Sequence, residues 1–190
     1  MLYMTNRLFR TLPGVAAMSL LLAPVLTSCL GDDSLDYTEW KKRNDQFVTD
    51  AKNATIDGEP EYQVISPVFA PGSSILMKWH NDRSKTANNL KPLDNSTVDC
   101  IYICRDIDGN YIDSSYASTT YGDSIYRSRP TKNIVGFWTA LTNMHVGDSV
   151  TVIIPSDAGY GSSQYNSIKP YTTIVYGIKL KGIPAYELPE

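Results

Sequence analysis

Residues 134–148 read IVGFWTALTNMHVGD, and this stretch decides the fold. Val135 to Met144 is the one helical stretch in a region otherwise made of short apolar runs separated by turns. Gly147-Asp148 then predicts a turn into a strand, Ser149 to Ile154. One short helix among many strands predicts an α+β domain, in which an antiparallel sheet wraps around the helix.

The remaining strands are expected on both sides of this helix. They are short apolar runs bounded by turn residues: Tyr62 to Ile65, Ile75 to His80, Val98 to Arg105, Tyr111 to Ser114 and Thr173 to Leu180. Asp108-Gly109 predicts a tight hairpin turn between the third and fourth of them. Tyr116 to Lys132 is rich in Ser, Thr, Tyr and Arg and predicts an irregular flap, whereas Ser156 to Thr172 predicts a long loop.

Residues 37–52 predict an amphipathic helix in front of the domain. Their apolar side chains recur at helical spacings, at Tyr37, Trp40, Phe47, Val48 and Ala51. We expect this stripe to pack on the domain; a helix that binds a partner is the alternative.

The N-terminal segment is typical of an exported lipoprotein. Arg7 and Arg10 precede an apolar run of about a dozen residues, which is shorter than the roughly 20 needed to span a bilayer. Leu26-Thr27-Ser28-Cys29 matches a bacterial lipobox, in which the cysteine thiol receives the lipid. We therefore expect a signal peptide over 1–28, a lipidated tether with the N-terminal helix over 29–60, and the folded domain over 61–190. An ordinary signal peptide with an incidental cysteine is the alternative.

The acidic residues that follow the cysteine bear on the location. Leu30-Gly31-Asp32-Asp33 resembles the surface-export signal of some Gram-negative lipoproteins, but it also fits a solvated tether. We expect a lipid anchor in the envelope of a Gram-negative bacterium, in the outer membrane, with the domain facing either the periplasm or the surface.

Composition excludes several functions. The chain has 190 residues, 42% of them hydrophobic, and a formal net charge of −3. Nothing in it forms a basic stripe, so nucleic acid is not an expected partner. There is also no phosphate-cradling loop, no dinucleotide fingerprint and no nucleophile elbow beside a histidine. No cofactor is implied.

Two further cysteines lie in one predicted strand. Cys100 and Cys104 are four residues apart and therefore ~13 Å apart on one face, too far for a disulfide. We expect two buried free thiols. No metal site is predicted, because His80 and His145 lack ligand-like spacing to the cysteines.

Three separated segments carry recognisable motifs. They are Asn95 to Tyr102 with Asp108-Gly109 and Asp113-Ser114-Ser115, then Ile134 to Leu141 with Met144 to Asp148, then Ile154 to Gly161 with Ile168-Lys169-Pro170 and Ile174 to Leu180. Together, and in this order, they resemble the FKBP-type peptidyl-prolyl isomerase family. The resemblance covers residues 61 to 183. It implies an FKBP-like fold and rotation of Xaa-Pro amide bonds in proline-containing segments of exported proteins, by a protein that we expect to be a monomer.

The resemblance also implies the site residues. The positions that match the family's catalytic pocket are Tyr102, Asp113, Ile134, Phe137 and Tyr160, and those expected to bind substrate around it are Ile112, Trp138, Ile168 and Tyr176. Within this set, the Ile134 N–H and the Tyr160 hydroxyl are expected to bind substrate carbonyls. The alternative interpretation is structural: Tyr102 and Tyr160 would be half-buried packing residues, and Asp113 would cap a turn.

Several positions depart from the family pattern. Phe137 stands where tryptophan is usual, Ile112 where phenylalanine is usual, Lys169 replaces the first proline of a pair, and Asn133 replaces an apolar residue. The alternatives to a folding isomerase are therefore a weakly active or inactive binding or chaperone module on the same fold, and a surface lipoprotein that contacts a partner through the flap and the N-terminal helix.

Overall fold

A computed structural model describes residues 33–186, with side chains from residue 37 onward. The signal peptide, Cys29 and the tether before Asp33 lie outside the described residues. In chain order the elements are α1 (Asp33–Asn53), β1 (Thr55–Ile56), β2 (Glu59–Pro60), β3 (Gln63–Ile65), β4 (Ile75–Trp79), β5 (Thr97–Arg105), β6 (Tyr111–Ser114), β7 (Tyr126–Ser128), α2 (Val135–Leu141), β8 (Ser149–Ile154) and β9 (Ile174–Ala185). Short 3₁₀ turns lie at Arg83–Lys85, Pro130–Lys132 and Ser156–Ala158.

The main sheet is antiparallel. Its strands follow the order β3-β4-β8-β9-β5-β6, and β7 also pairs with β5. The prediction of an α+β domain with a sheet wrapped on a helix is confirmed. The predicted strands are present within a few residues of their expected bounds, except that β9 continues to Ala185 instead of ending at Leu180.

The predicted flap contains one strand that the sequence analysis missed. β7 pairs with β5, with Tyr126 opposite Cys100 and Ser128 opposite Val98. The polar composition of residues 116–132 hid this strand, because only three residues take part in the pairing.

The side chains of the central strands alternate between the two faces of the sheet, as the two-residue period of a strand requires. Inner-face residues such as Met77, Val152 and Ile178 form the core with α2. Outer-face residues, among them Leu76 and Ile153, form a smaller cluster with α1. The two helices therefore cover opposite faces of one sheet.

The N-terminal helix packs on the domain, which confirms the first of the two alternatives given for it. It is longer than predicted, with 21 residues, and Val48 is buried against Leu76 and Ile153 while Phe47 and Ala51 flank the contact. Among the described residues, no helix is long and apolar enough to cross a membrane.

The contact between α2 and β8 is unusually close at one glycine. A Cβ atom added to Gly136 would lie 2.3 Å from Cγ2 and 2.9 Å from Cγ1 of Ile154. Glycine at position 136 thus lets the helix lie directly on the strand, and this fixes the height of Phe137 above the sheet.

Replacing this glycine tests the packing. Gly136→Ala is expected to lower the free energy of unfolding by about 1–3 kcal/mol, because overpacking at Ile154 outweighs the better helix propensity of alanine. Urea unfolding measures the change. Gly182→Ala in β9 is the matched control, since a Cβ there meets no atom within 4 Å, and an equal loss in both variants would contradict the account.

Candidate active site

A cavity of about 300 Å³ opens at the edge of the inner face of the sheet. Its walls come from the strands β5, β6, β7 and β9, from the start of α2 and from the loop between β8 and β9. The lining residues are Tyr102, Asp113, Tyr126, Lys132, Asn133, Ile134, Phe137, Tyr160, Tyr165 and Tyr176. All five residues predicted as catalytic are therefore brought together around one cavity.

The floor of the cavity is aromatic. Phe137 is only 3% exposed, and the rings of Tyr176, Tyr102 and Tyr126 meet it edge to face at centroid distances of 5.0, 5.8 and 6.4 Å. Tyr102 in turn meets Tyr126 at 5.3 Å and Tyr176 at 5.7 Å. Edge-to-face packing of this kind favours a fixed arrangement of the rings, so the cavity has a rigid apolar base.

One wall is held by a hydrogen bond between two predicted site residues. The Tyr102 hydroxyl donates to Asp113 Oδ2 at 2.7 Å, and the Ser114 N–H donates to Asp113 Oδ1 at 2.8 Å. Burial, followed by the hydrogen bond to Asp113, raises the pKa of Tyr102 above its ordinary value. The hydroxyl therefore stays protonated near neutral pH and keeps the wall in place.

Two of the predicted catalytic residues present a donor that has no partner among the described residues. The Ile134 N–H meets no acceptor from residues 33–186, because Ile134 precedes the first turn of α2 and uses only its carbonyl, which accepts from Trp138 N–H. The Tyr160 hydroxyl likewise has no hydrogen-bond partner in this part of the chain, while its ring stacks on Tyr165 at 4.5 Å. Burial raises the pKa of Tyr160, so its hydroxyl remains a donor.

A second cavity of about 350 Å³ continues from the first. The two share Asp113, Tyr160, Tyr165 and Tyr176, and the second adds Cys104, Ile112, Asn166, Ser167 and Ile168. The predicted substrate-binding residues Ile112 and Ile168 therefore lie along one groove with the catalytic set, although not in the aromatic cavity itself.

Trp138, which is also expected to bind substrate, is not brought to either cavity. Its ring stacks on Phe69 at a centroid distance of 3.7 Å, and its Nε1 donates to Asp94 Oδ1 at 2.7 Å. Successive residues of an α-helix point about 100° apart. Phe137 and Trp138 therefore cannot both face the cavity, and Phe137 takes that position.

Sequence reasoning missed Tyr126, Tyr165 and Lys132 as lining residues. Tyr126 donates through its hydroxyl to Asn133 Oδ1 at 2.9 Å, and Asn133 Nδ2 donates to the Arg129 carbonyl at 2.8 Å. The polar residue that departs from the family pattern thus ties the flap to the entrance of α2. The hydrogen bond between Tyr126 and Asn133 could not be found from the sequence, because no local pattern connects these two residues.

Within residues 37–186, no group of three or more His, Cys, Asp or Glu side chains could hold a metal ion. His80 contacts Thr151 through Nε2 at 2.8 Å, on the exposed side of the sheet.

The model of the FKBP-type peptidyl-prolyl cis-trans isomerase family matches residues 88–181. Those residues contain every lining residue of the two cavities that form the groove. The chain carries an FKBP-type peptidyl-prolyl isomerase domain. No curated protein matches the chain.

Solved structures similar to this FKBP-type domain include a peptidyl-prolyl cis-trans isomerase of Pseudomonas syringae. It superimposes with a TM-score of 0.60 at 28% identity, over 77% of this chain and 95% of that one. FkpA of Escherichia coli gives a TM-score of 0.58 at 21% identity, over 82% of this chain and 67% of that one. The three FKBP domains of wheat FKBP73 give 0.51 at 20% identity, over 63% and 49% of the two chains. The last two likenesses concern the fold alone.

The two thiols near the groove provide a test of its packing. Cys100 and Cys104 are free and buried, as predicted, and burial raises the pKa of each thiol to about 12. At pH 8 about one thiol in 10,000 is then ionised, and the thiolate is the reactive form. We expect a Cys29→Ser chain to react with a disulfide reagent only after unfolding in urea. Rapid reaction of either thiol in the native protein would mean that the groove is more open than described.

Proposed function

We propose that this protein is a membrane-anchored peptidyl-prolyl cis-trans isomerase that assists the folding of exported proteins. The observation that carries the proposal is the aromatic cavity with two uncommitted donors, the Ile134 N–H and the Tyr160 hydroxyl. The cavity has the size and apolar floor that a proline ring requires, and the donors flank it.

The reaction needs shape and polarity more than reactive groups. Rotation about an Xaa-Pro bond breaks amide resonance, with a barrier of about 18–20 kcal/mol, and takes tens to hundreds of seconds without catalysis. The twisted amide is less polar along its C–N bond than the planar amide. An apolar cavity therefore disfavours the planar ground state more than the twisted one, which lowers the barrier by differential binding.

The lining residues take distinct roles in this mechanism. Phe137, Tyr176, Tyr102 and Tyr126 hold the proline ring through apolar contact. The Ile134 N–H donates to the carbonyl of the proline residue. This carbonyl does not move during the rotation, so the hydrogen bond fixes the segment in the groove. The Tyr160 hydroxyl donates to the carbonyl that rotates, and fixed donors of this kind act strongly where water is excluded.

Asp113 acts through Tyr102 and through its own charge. Both of its carboxylate oxygens accept hydrogen bonds, from the Tyr102 hydroxyl and the Ser114 N–H. These bonds orient the Asp113 carboxylate at the groove, near the amide that twists. The carboxylate also orders the wall against which the proline ring packs.

A binding module with little turnover is the second candidate function. The observation that favours it is the identity of the floor, because Phe137 offers a smaller ring than tryptophan and lacks an indole N–H. The three aromatic contacts that surround Phe137 argue against loss of the pocket, so the two candidates differ in rate and not in ligand.

Peptide isomerisation distinguishes them. The Cys29→Ser chain without its leader is expected to accelerate the isomerisation of a short Xaa-Pro peptide. Tyr160→Phe should lower kcat/KM about threefold to tenfold, since one hydrogen bond of about 0.5–1.5 kcal/mol is lost, and Asp113→Ala should lower it at least as much. Tyr116→Phe in the flap, an exposed tyrosine outside both cavities, is the matched control.

The absence of acceleration by a well-folded sample, with several residues before proline, would contradict the isomerase. If that sample still bound the peptides and Tyr160→Phe weakened binding, the second candidate would replace it.

The anchoring is supported by the sequence and by the position of α1. Cys29 stands four residues before the start of α1 at Asp33, and four residues of chain span at most about 14 Å. Lipid on Cys29 would therefore hold the domain close to the bilayer, in reach of exported segments at the membrane, and three acyl chains would hold it firmly since one alone is marginal.

Metabolic labelling tests the anchor. Cells that produce the full chain are expected to incorporate radiolabelled palmitate into the protein and to retain it in the membrane fraction. Cys29→Ser should abolish the label, and Cys100→Ser should leave it unchanged. Label retained in Cys29→Ser would contradict lipidation at this position, and protease treatment of intact cells separates periplasmic from surface exposure.

A further inference from the structure

The loop between β8 and β9 supplies residues to both cavities of the substrate groove. Tyr160 stands near its start, and Ile168, which is 6% exposed, stands near its end. The loop has little regular structure of its own beyond the 3₁₀ turn at Ser156–Ala158. Hydrogen bonds within the loop, such as those between Tyr165 and Ile168, hold its own shape, and contacts with other elements help to place it in the groove.

Trp40 of α1 makes the first of these contacts. Its Nε1 donates to Thr172 Oγ1 at 3.0 Å, and the same hydroxyl donates to the Lys169 carbonyl at 2.8 Å. The Lys169 ammonium lies 5.4 Å from the centroid of the Trp40 ring, a cation–π distance. One indole thus holds the last turn of the loop from two sides.

Asn44 makes the second contact, one helical turn further along α1. It is 0% exposed, and its Oδ1 accepts from the Thr173 N–H at 2.7 Å, while its Nδ2 donates to the Trp40 carbonyl at 2.8 Å. A buried amide whose loss would leave a buried N–H unpaired is a strong restraint.

The held segment connects back to the catalytic tyrosine. Tyr171 directly precedes the two contacted residues, Thr172 and Thr173, and has a φ of 61°. This left-handed conformation is unfavourable for a non-glycine residue and persists only where neighbours enforce it. In this conformation its N–H donates to the Gly161 carbonyl at 2.9 Å. Gly161 directly follows Tyr160, so the restraint reaches the hydroxyl donor of the groove.

We propose that α1 is a positioning element of the isomerase site: Trp40 and Asn44 hold residues 168–173, and these hold Tyr160 and Ile168 in the substrate groove. The inference builds on the proposed function and extends the site beyond residues 88–181, the part that matches the family. Substrate affinity then depends on a helix that lies outside the two cavities of the groove.

Substitutions at the Trp40–Thr172 hydrogen bond test the proposal in the leaderless Cys29→Ser chain. Trp40→Phe keeps an aromatic ring beside Lys169 and deletes the donor, and Thr172→Val removes the hydroxyl at nearly constant volume. Each is expected to raise KM for an Xaa-Pro peptide about threefold to tenfold, with kcat changed less than twofold. Because they break the same bond, the double variant should lose no more than the worse single one.

Two variants serve as matched controls. Thr172→Ser retains the hydroxyl and should keep KM within twofold of the parent chain. Thr49→Val lies on the same helix but removes only a hydroxyl that donates to the Asp45 carbonyl within α1, and should also leave KM unchanged. Amide hydrogen exchange supplies the independent readout, with faster exchange at Tyr171 and Thr173 expected only in Trp40→Phe and Thr172→Val.

Unchanged KM in Trp40→Phe and Thr172→Val would overturn the proposal, whether or not exchange at Tyr171 and Thr173 rises. A fall in kcat with unchanged KM would also overturn it. If the parent chain proves to bind peptides without turning them over, the isomerase proposal fails, and the dissociation constant for the same peptide takes the place of KM with the same expected ratios. Equal dissociation constants in all variants would then reject the positioning role.

Discussion

The close approach of α2 to β8 at Gly136 is the constraint on which the rest of the site depends. With no Cβ at this position, the helix rests on Ile154, and the next residue, Phe137, becomes the floor of the cavity. The residue before the helix turn, Ile134, is brought to the rim with its N–H unused. A bulkier residue would lift the helix, and both the floor and the donor would move with it.

The sheet supports this arrangement by curling around α2 and presenting three tyrosines to it. Tyr102 and Tyr176 come from the adjacent strands β5 and β9, and Tyr126 comes from the short strand β7. The edge-to-face contacts among these rings and Phe137 use the ring faces and leave an apolar surface. Polar groups such as Asp113 and Asn133 have their partners within the protein, whereas the Ile134 N–H and the Tyr160 hydroxyl remain available to a ligand.

Much of the fold could be predicted from sequence because its signals are local. Alternating apolar residues in β5, β8 and β9, the Asp108-Gly109 turn and the helical spacing of Phe47, Val48 and Ala51 each specify one element. The pocket set could be predicted only through resemblance to a family. The resemblance does not give the surroundings of Trp138, whose ring stacks on Phe69 because the orientation of α2 places only Phe137 at the cavity.

The remaining features depend on contacts between distant parts of the chain. Asn44 is a polar residue amid Lys41, Lys42, Arg43 and Asp45 and would be expected in solvent, yet it is fully buried because Thr173, 129 positions later, needs an acceptor. Tyr126 belongs to a segment whose composition predicts an irregular flap, and only its pairing with Cys100 brings it to the cavity. No local pattern contains either pairing.

The central claim is that the aromatic cavity at Ile134 and Phe137 binds Xaa-Pro segments. The most direct measurement is an NMR titration of the ¹⁵N-labelled chain with a short Xaa-Pro peptide. The account predicts that the Ile134 amide shifts most, with neighbouring shifts at Phe137 and Tyr160. A larger cavity of about 550 Å³ between α1 and the β8–β9 loop, lined mainly by polar residues, is the competing location. Shifts confined to its residues Thr49, Lys52 and Ser156, with Ile134 unmoved, would contradict the account.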